Sequence, residues 1–224
     1  LSIVLNVVFG AFRLVRTDGE GAWPDAETVT LPPPTGDREI AVADAIGDRR
    51  SRREYGDEPL SRQELGQLLW ATQGVTDRRT GFRSAPSAGA LYPLEVYVVV
   101  GEDGVDGLES GVYHYRPEGQ ELARGQSGDV QSALRTASVD QAHVETAPID
   151  VVLCAVDERT TQKYGDRGKR RYVPMEAGHA GQNLYLQAEA LGLATVAIGA
   201  FYDDQVRAIL DVSTDQRPLY IFPV

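Results

Sequence analysis

Cysteine, lysine and long apolar runs are scarce in this 224-residue chain. The one cysteine, Cys154, excludes an internal disulfide framework. It lies within IDVVLCAV, where a buried structural thiol is expected rather than a nucleophile. The three histidines, His114, His143 and His179, stand apart without metal-type spacing, so a structural metal is not expected. Lys163 and Lys169 are the only lysines among 22 basic residues, set against 33 acidic ones for a net charge of −11. A surface that acidic repels nucleic acid and anionic membranes outside local patches. Known nucleotide and hydrolase signatures are missing too. Ala85 stands where a G-x-S-x-G elbow around Ser87 needs its first glycine, and neither a phosphate-binding P-loop nor a G-x-G-x-x-G fingerprint occurs.

An apolar fraction of 42% suits one elaborated globular domain. The chain opens on LSIVLNVVFGAFRLV without an initiator methionine, which reads as a processed or truncated start. Those fifteen residues are too few to span a bilayer alone; they read either as the tail of an anchor or signal segment, or as an amphipathic packing helix. From Thr17 to Thr35 the composition turns to Gly, Asp, Pro and Thr and ends in LPPP, an extended linker. Residues 1–36 are therefore set apart from a folded domain over 37–224.

Within that domain the pattern predicts a helix over DREIAVADAIGDRRSRREY with Ile40, Ala43 and Ile46 on one face. Ser61 and Glu64 form a capping box before Leu65, Leu68, Leu69 and Ala71, with Gly74 as the stop. The apolar run before Gly101 reads as a strand buried on both faces, and GVYHY as a strand leading into a hairpin turn over 116–120. A helix over 129–137, a strand over 149–156, a long helix over 176–191 stopped by Gly192, a strand over ATVAIGAF, a short helix capped by Asp203 and a last strand in PLYIFPV complete the reading. Strands and helices are interspersed without regular βαβ alternation, so the class is α+β.

Three stretches carry candidate chemistry. Ser87, Ala88, Gly89 and Ala90, between Pro86 and Pro93, have almost no side chain, so either this is a tight connection or its backbone groups approach a flat or anionic ligand. Four arginines among residues 49–53, with Ser51 between them, read either as a solvated helix cap or as an anion site, because guanidinium forks match phosphate oxygens. The polar run DERTTQKYGDRGKRRYVP reads either as a solvated loop or as the setting of Lys163 and Tyr164, where neighbouring cations favour proton exchange near neutrality.

Taken together, RRSRREY, APSAGALYP, KYGDRG and EAGHAGQNLYLQAEALGL followed by IGAF resemble the nitroreductase superfamily of FMN enzymes, nearest its SagB-type or ThcOx-like dehydrogenases. The resemblance covers about Leu31 to Val224 and implies a mostly antiparallel sheet flanked by helices, in a homodimer. It implies that Arg49, Arg50, Ser51 and Arg53 hold the FMN phosphate and ribityl chain, and that Pro86, Ser87, Ala88, Gly89 and Leu91 line the flavin across the dimer interface. Gly199 and Ala200 would present backbone near flavin N5, with Glu176 close by. Lys163 and Tyr164 match the branch's K-Y-G motif, in which a base removes a proton during azoline oxidation while hydride passes to N5. The substrate class would be a small heterocycle or a modified peptide. The rival enzymatic expectation is an NAD(P)H-dependent reductase of nitroaromatics or quinones; the rival from another class is a flavin- or partner-binding module without turnover. A cytoplasmic protein is expected, and a membrane-anchored or exported form only if the N-terminal apolar segment is an anchor.

Overall fold

The computed structural model describes residues 23–36 and 40–224; the apolar stretch 1–15 and the domain start placed at 37 lie outside the described residues. Its centre is two strands without a charged face on the larger core. β4 (Leu94–Val100, LEVYVVV) is buried along its whole length. It pairs antiparallel with β7 (Ile149–Val156), as apolar and nearly as buried. Side chains alternate across a strand, so each of these strands feeds two cores. Leu94, Val96, Val98 and Val100 join Ile149, Val151, Leu153 and Ala155 on one face, while Tyr97 and Val99 join Val152 and Cys154 on the other.

Around this pair the sheet runs β1 (Thr28–Thr30), β6 (Glu121–Ser127), β5 (Gly111–Arg116), β4, β7, β8 (Gln216–Pro223), each pairing antiparallel. β5 and β6 form the expected hairpin. A separate two-stranded ribbon joins β2 (Val75–Asp77) to β3 (Phe82–Arg83). Helices cover both faces. Before the ribbon come α1 (Val42–Asp48) and α2 (Arg62–Gln73), and after the hairpin come α3 (Gln131–Ala137) and α4 (Ala142–Glu145). α5 (Glu158–Tyr164), a π-helical turn (Gly168–Tyr172), α6 (Val173–Leu191) and α7 (Asp203–Leu210) complete the chain. Leu65, Leu68 and Leu69 of α2 and Ala177, Ala180 and Leu184 of α6 fill the first core; Leu134 and Ala137 of α3 and Val206 and Leu210 of α7 fill the second. This is the α+β, antiparallel arrangement flanked by helices that the resemblance implies.

Six local expectations are corrected. The linker reading of 17–35 fails over its described part: Thr28–Thr30 adds an edge strand to β6, Leu31 is buried, and Trp23 sets its ring edge-on to Tyr97. A Pro-rich composition here marks an edge strand rather than a free tether, since an edge strand tolerates missing N–H donors on its open side. The first helix is shorter than the pattern over 37–55 and is turned: Ala45 is its buried residue, whereas Val42 and Ile46 are 71% and 56% exposed. It stops at Asp48 because Arg49 leaves helical geometry and the Arg52 N–H is taken by the Thr195 carbonyl.

The polar run after β7 is helical rather than a solvated loop. Its start is fixed by Asp157, which accepts both guanidinium bonds of Arg217 at 2.9 and 2.7 Å. Pro174 in the first turn of α6 then starts that helix three residues before the expected Glu176. ATVAIGAF makes only an isolated bridge, Ile198 to Ile221, because the Ala197 N–H is spent on the Tyr185 hydroxyl. At α7 the cap residue is Tyr202, with Asp203 inside the first turn.

The capping box itself is as read. The Ser61 hydroxyl accepts from the Glu64 N–H at 3.2 Å and the Glu64 carboxylate accepts from the Ser61 N–H at 2.9 Å. Ser61→Ala should cost about 1 kcal/mol, read as a lower midpoint in urea unfolding at unchanged slope.

Candidate active site

The loop between β3 and β4 is short of side chains and rich in strained backbone. Gly89, Ala90 and Tyr92 have φ of 68°, 53° and 43°, and for the last two this is the left-handed region that L side chains disfavour. Such strain persists only where neighbours over-determine it. Tyr92 is where they do so. Its N–H donates to Ser87 Oγ at 2.9 Å, its carbonyl accepts from Arg159 at 3.1 Å, and its hydroxyl accepts from the Arg83 N–H at 3.2 Å. The Arg83 guanidinium carbon lies 4.9 Å from the Tyr92 ring centroid. Pro93 then leads into β4, so the loop stands on a strand buried along its whole length.

Lys163 and Tyr164 end α5 directly against this loop. A Cβ built on Gly89 would lie 2.9 Å from Lys163 Nζ and 2.8 Å from Tyr164 Oη, closer than a carbon can sit. Gly89 thus suits the site by its φ, and a side chain there would have to push the flexible ends of Lys163 and Tyr164 aside. Lys163 Nζ is 5.4 Å from the Tyr164 ring centroid, and the ring is held edge-on by Tyr172 at 4.9 Å. Arg167 donates to the Tyr172 hydroxyl at 3.0 Å. The helix ends after the pair because Gly165 takes φ 55° and ψ −152°, a conformation essentially confined to glycine.

On the inner side of the loop lies Glu176 of α6, 2% exposed. Its carboxylate accepts from Gln73 Nε2 at 3.3 Å, and the neighbouring Ser87 hydroxyl favours its charged form. Burial pushes its pKa up to about 7, against the opposing pull of those bonds and of the Arg83 and Arg159 charges. Nearby, burial would raise Glu95 as well, but the bond from His114 at 2.6 Å and the charge of Arg159 outweigh it and hold that carboxyl at about 2.

The arginine set forms a second cluster. Arg49 stacks its guanidinium carbon 5.1 Å from the Tyr185 ring centroid, and Ser51 Oγ is 2.9 Å from the Tyr185 hydroxyl. That hydroxyl also accepts from the Ala197 N–H at 2.7 Å, which ties the arginines to the segment leading to Gly199 and Ala200. Ala200 and Gly199 are exposed, and the Ala200 carbonyl accepts from Gln141 at 3.3 Å. Arg50 donates to the carbonyls of Gly47 and Arg49, and Arg50, Ser51 and Arg53 are exposed. Arg52 is committed to structure through an ion pair with Glu189 at 2.5 Å.

The predicted site residues therefore fall into two groups. Pro86, Ser87, Ala88, Gly89 and Leu91 stand with Lys163, Tyr164 and Glu176; Arg49, Arg50, Ser51 and Arg53 stand with Gly199 and Ala200. Among the described residues no hydrogen bond, ion pair or ring contact joins the arginines to the Ser87 loop. Sequence reasoning missed Tyr185, Tyr92, Gln73, Arg83 and Arg159. Tyr185 sits among apolar neighbours at helical spacing and reads as core, and nothing in the one-dimensional pattern marks Tyr92 as the clamp.

Cation donors on one group and a side-chain-free cradle on the other are the chemistry that an anionic, flat cofactor demands. The Nitroreductase family profile matches residues 46–224, and the chain belongs to that family as a nitroreductase-family oxidoreductase. It is 48% identical over 186 residues to the Methanocaldococcus jannaschii protein MJ1384, which bears a provisional nitroreductase name, covering 83% of this chain and 91% of that one. It is 33% identical over 161 residues to the Escherichia coli microcin B17-processing protein McbC, covering 70% of this chain and 58% of McbC. The solved E. coli microcin synthetase McbBCD complex with truncated pro-MccB17 bound matches 96% of this chain and 84% of its own, with a TM-score of 0.67 at 25% identity. Among the described residues no helix is long and apolar enough to cross a membrane.

Gly89→Ala should displace Lys163 and Tyr164 and destabilise the fold by roughly 1–2 kcal/mol through the left-handed φ alone. In a double-mutant cycle with Lys163→Ala, part of that cost should vanish, leaving a coupling on the order of 0.5 kcal/mol or more; additive melts would show that the Lys163 contact is not made.

Proposed function

We propose that the protein is an FMN-dependent oxidoreductase of the SagB-type dehydrogenase branch, oxidising a heterocyclic, azoline-like substrate carried on a small molecule or a modified peptide. The observation that carries this reading is the closeness of Lys163 and Tyr164 to Gly89, which supports treating the pair and the side-chain-free loop as one site. Similarity to McbC, a microcin-processing protein, supports the substrate class.

FMN, when bound, supplies the redox step by accepting hydride at N5. The chain does the rest. Arg49, Arg50, Arg53 and Ser51 hold the phosphate and ribityl chain by charge-assisted bonds. Pro86, Ser87, Ala88, Gly89 and Leu91 form the surface against which the ring system and substrate are oriented, and Gly199 and Ala200 offer further backbone groups to the ring system. Lys163 Nζ or Tyr164 Oη takes the substrate proton. The ring of Tyr172 fixes the direction from which that base approaches.

The separation into two groups supports a homodimer in which the arginines of one copy and the loop of the other complete each site. Similarity to MJ1384 favours a second reading, NAD(P)H-dependent reduction of nitroaromatics or quinones, in which NAD(P)H is the reductant.

The purified protein should be yellow, with about one FMN released per chain. A colourless protein that takes up no added FMN refutes the cofactor assignment. Lys163→Ala and Tyr164→Phe should each lower azoline oxidation by roughly 10²–10⁴-fold while the flavin spectrum stays unchanged; undiminished turnover in both removes the proton-transfer role. Rapid anaerobic bleaching of the flavin by NADPH would favour the reductase reading. Mixing an Arg49→Ala/Arg53→Ala chain with a Lys163→Ala chain should recover activity that neither has alone, because one site in a mixed dimer then holds both intact halves.

A further inference from the structure

Buried beside Ser87, the structure holds an acid that the reaction above does not use. Glu176 is 2% exposed, and a carboxylate that deep needs donors or a proton. Its bonding supplies the proton case. Gln73 is 1% exposed, and while its Nε2 donates to Glu176, its own Oε1 has no partner. A protonated Glu176 hydroxyl is the donor that this orphaned oxygen lacks, since a carboxylic acid and a primary amide satisfy each other in both directions. Ser87, whose oxygen accepts from the Tyr92 N–H, lies close enough to Glu176 to favour its charged form, so the acid adjoins the loop itself.

Gln73 also lines a polar cavity of about 40 Å³ with Arg83, Glu95, His114 and Arg159. His114 is 3% exposed, and its Nδ1 likewise has no partner. A polar cavity of that size, lined by residues that carry unpaired groups, has room for water. The charges that face Glu176 are Arg83 of β3 and Arg159 of α5, and each is already engaged: Arg83 with Glu118 at 3.0 Å, Arg159 with Glu95. Neither is free to serve as a dedicated counter-ion, which leaves the buried acid to exchange its proton near neutrality.

We propose that Glu176 is a proton store for the Ser87–Leu91 loop, in contact with it through Ser87 and replenished from water through the Gln73–His114 cavity. It rests on the flavin reading above for its purpose, though not for its existence. It is a positioning residue for the reaction, acting through Ser87 on whatever the loop holds. Lys163 and Tyr164 handle the substrate proton on the outer face, and Glu176 supplies or absorbs a second proton on the inner face as the charge of the bound group changes.

The linkage sign follows from burial. Between about 4.5, the ordinary carboxyl value, and about 7 the folded chain binds more protons at Glu176 than the unfolded one. Its contribution to stability therefore falls as pH rises through that window and levels off above it.

Infrared spectroscopy of the flavin-free protein, with isotope-labelled glutamate to separate Glu176 from the buried Asp150, should show a protonated carboxyl band that disappears with a midpoint near pH 7. The band should be lost in Glu176→Gln, which keeps the pairing with Gln73 and should fold normally. A labelled band already gone at pH 5, or one that survives in Glu176→Gln, overturns the proposal without touching the cofactor assignment. With FMN added, the flavin midpoint potential plotted against pH should bend near pH 7 in the wild type and lose that bend in Glu176→Gln. A bend unchanged by the substitution refutes the coupling to the loop, and failure to bind FMN at all refutes the flavin reading while the infrared result stands.

Discussion

The burial of one strand on both faces is the constraint on which the site depends. β4 has no solvent side, so it can neither slip register nor tilt without moving apolar side chains out of two cores at once. A loop attached to such a strand inherits its rigidity, and this one uses it to maintain left-handed backbone at Ala90 and Tyr92. The cost of those conformations, on the order of 1–3 kcal/mol each, is offset by the ring and hydroxyl contacts of Tyr92 with Arg83, its carbonyl with Arg159 and its N–H with Ser87. Folding and site construction are thus one problem here. The residues that satisfy the strained loop also set the electrostatics around Glu176 and Glu95.

Legibility in the sequence followed the range of the interactions involved. Strands β4 and β7, the capping box at Ser61 and the Gly192 stop were readable because apolar runs and caps are decided within a few residues. The helical fold of the K-Y-G segment was not, because its start is fixed by Arg217, sixty positions away in β8, and its polar composition looks like a solvated loop. The strand expected over 194–201 was lost to a side chain, the Tyr185 hydroxyl, taking a ladder donor. An edge strand of three residues inside a Thr- and Pro-rich stretch has no periodicity to detect at all.

The candidate site was legible as residue types and illegible as partnerships. Arginines, a loop of small residues and a Lys-Tyr pair could be named in one dimension. That Gly89 touches the pair while the arginines gather around Tyr185 needed coordinates, because those contacts join β-loop to α5 and α1 to α6. Arg52 makes the same point from the other side. It is one of four arginines in the cluster, yet it is tied to Glu189 and belongs to the scaffold.

The backbone at Gly165 changes what the K-Y-G motif means as a unit. Its torsions are reachable by glycine and almost nothing else, and they stop α5 immediately after the pair so that the chain can turn into the π-helical segment. The third letter is therefore not a spacer. A descendant chain that preserved lysine and tyrosine but exchanged this glycine would extend or reroute the helix and carry both side chains off the Gly89 notch. Drift at an apparently inert position is thus a route by which this lineage can lose the arrangement of Lys163 and Tyr164 while both residues are retained.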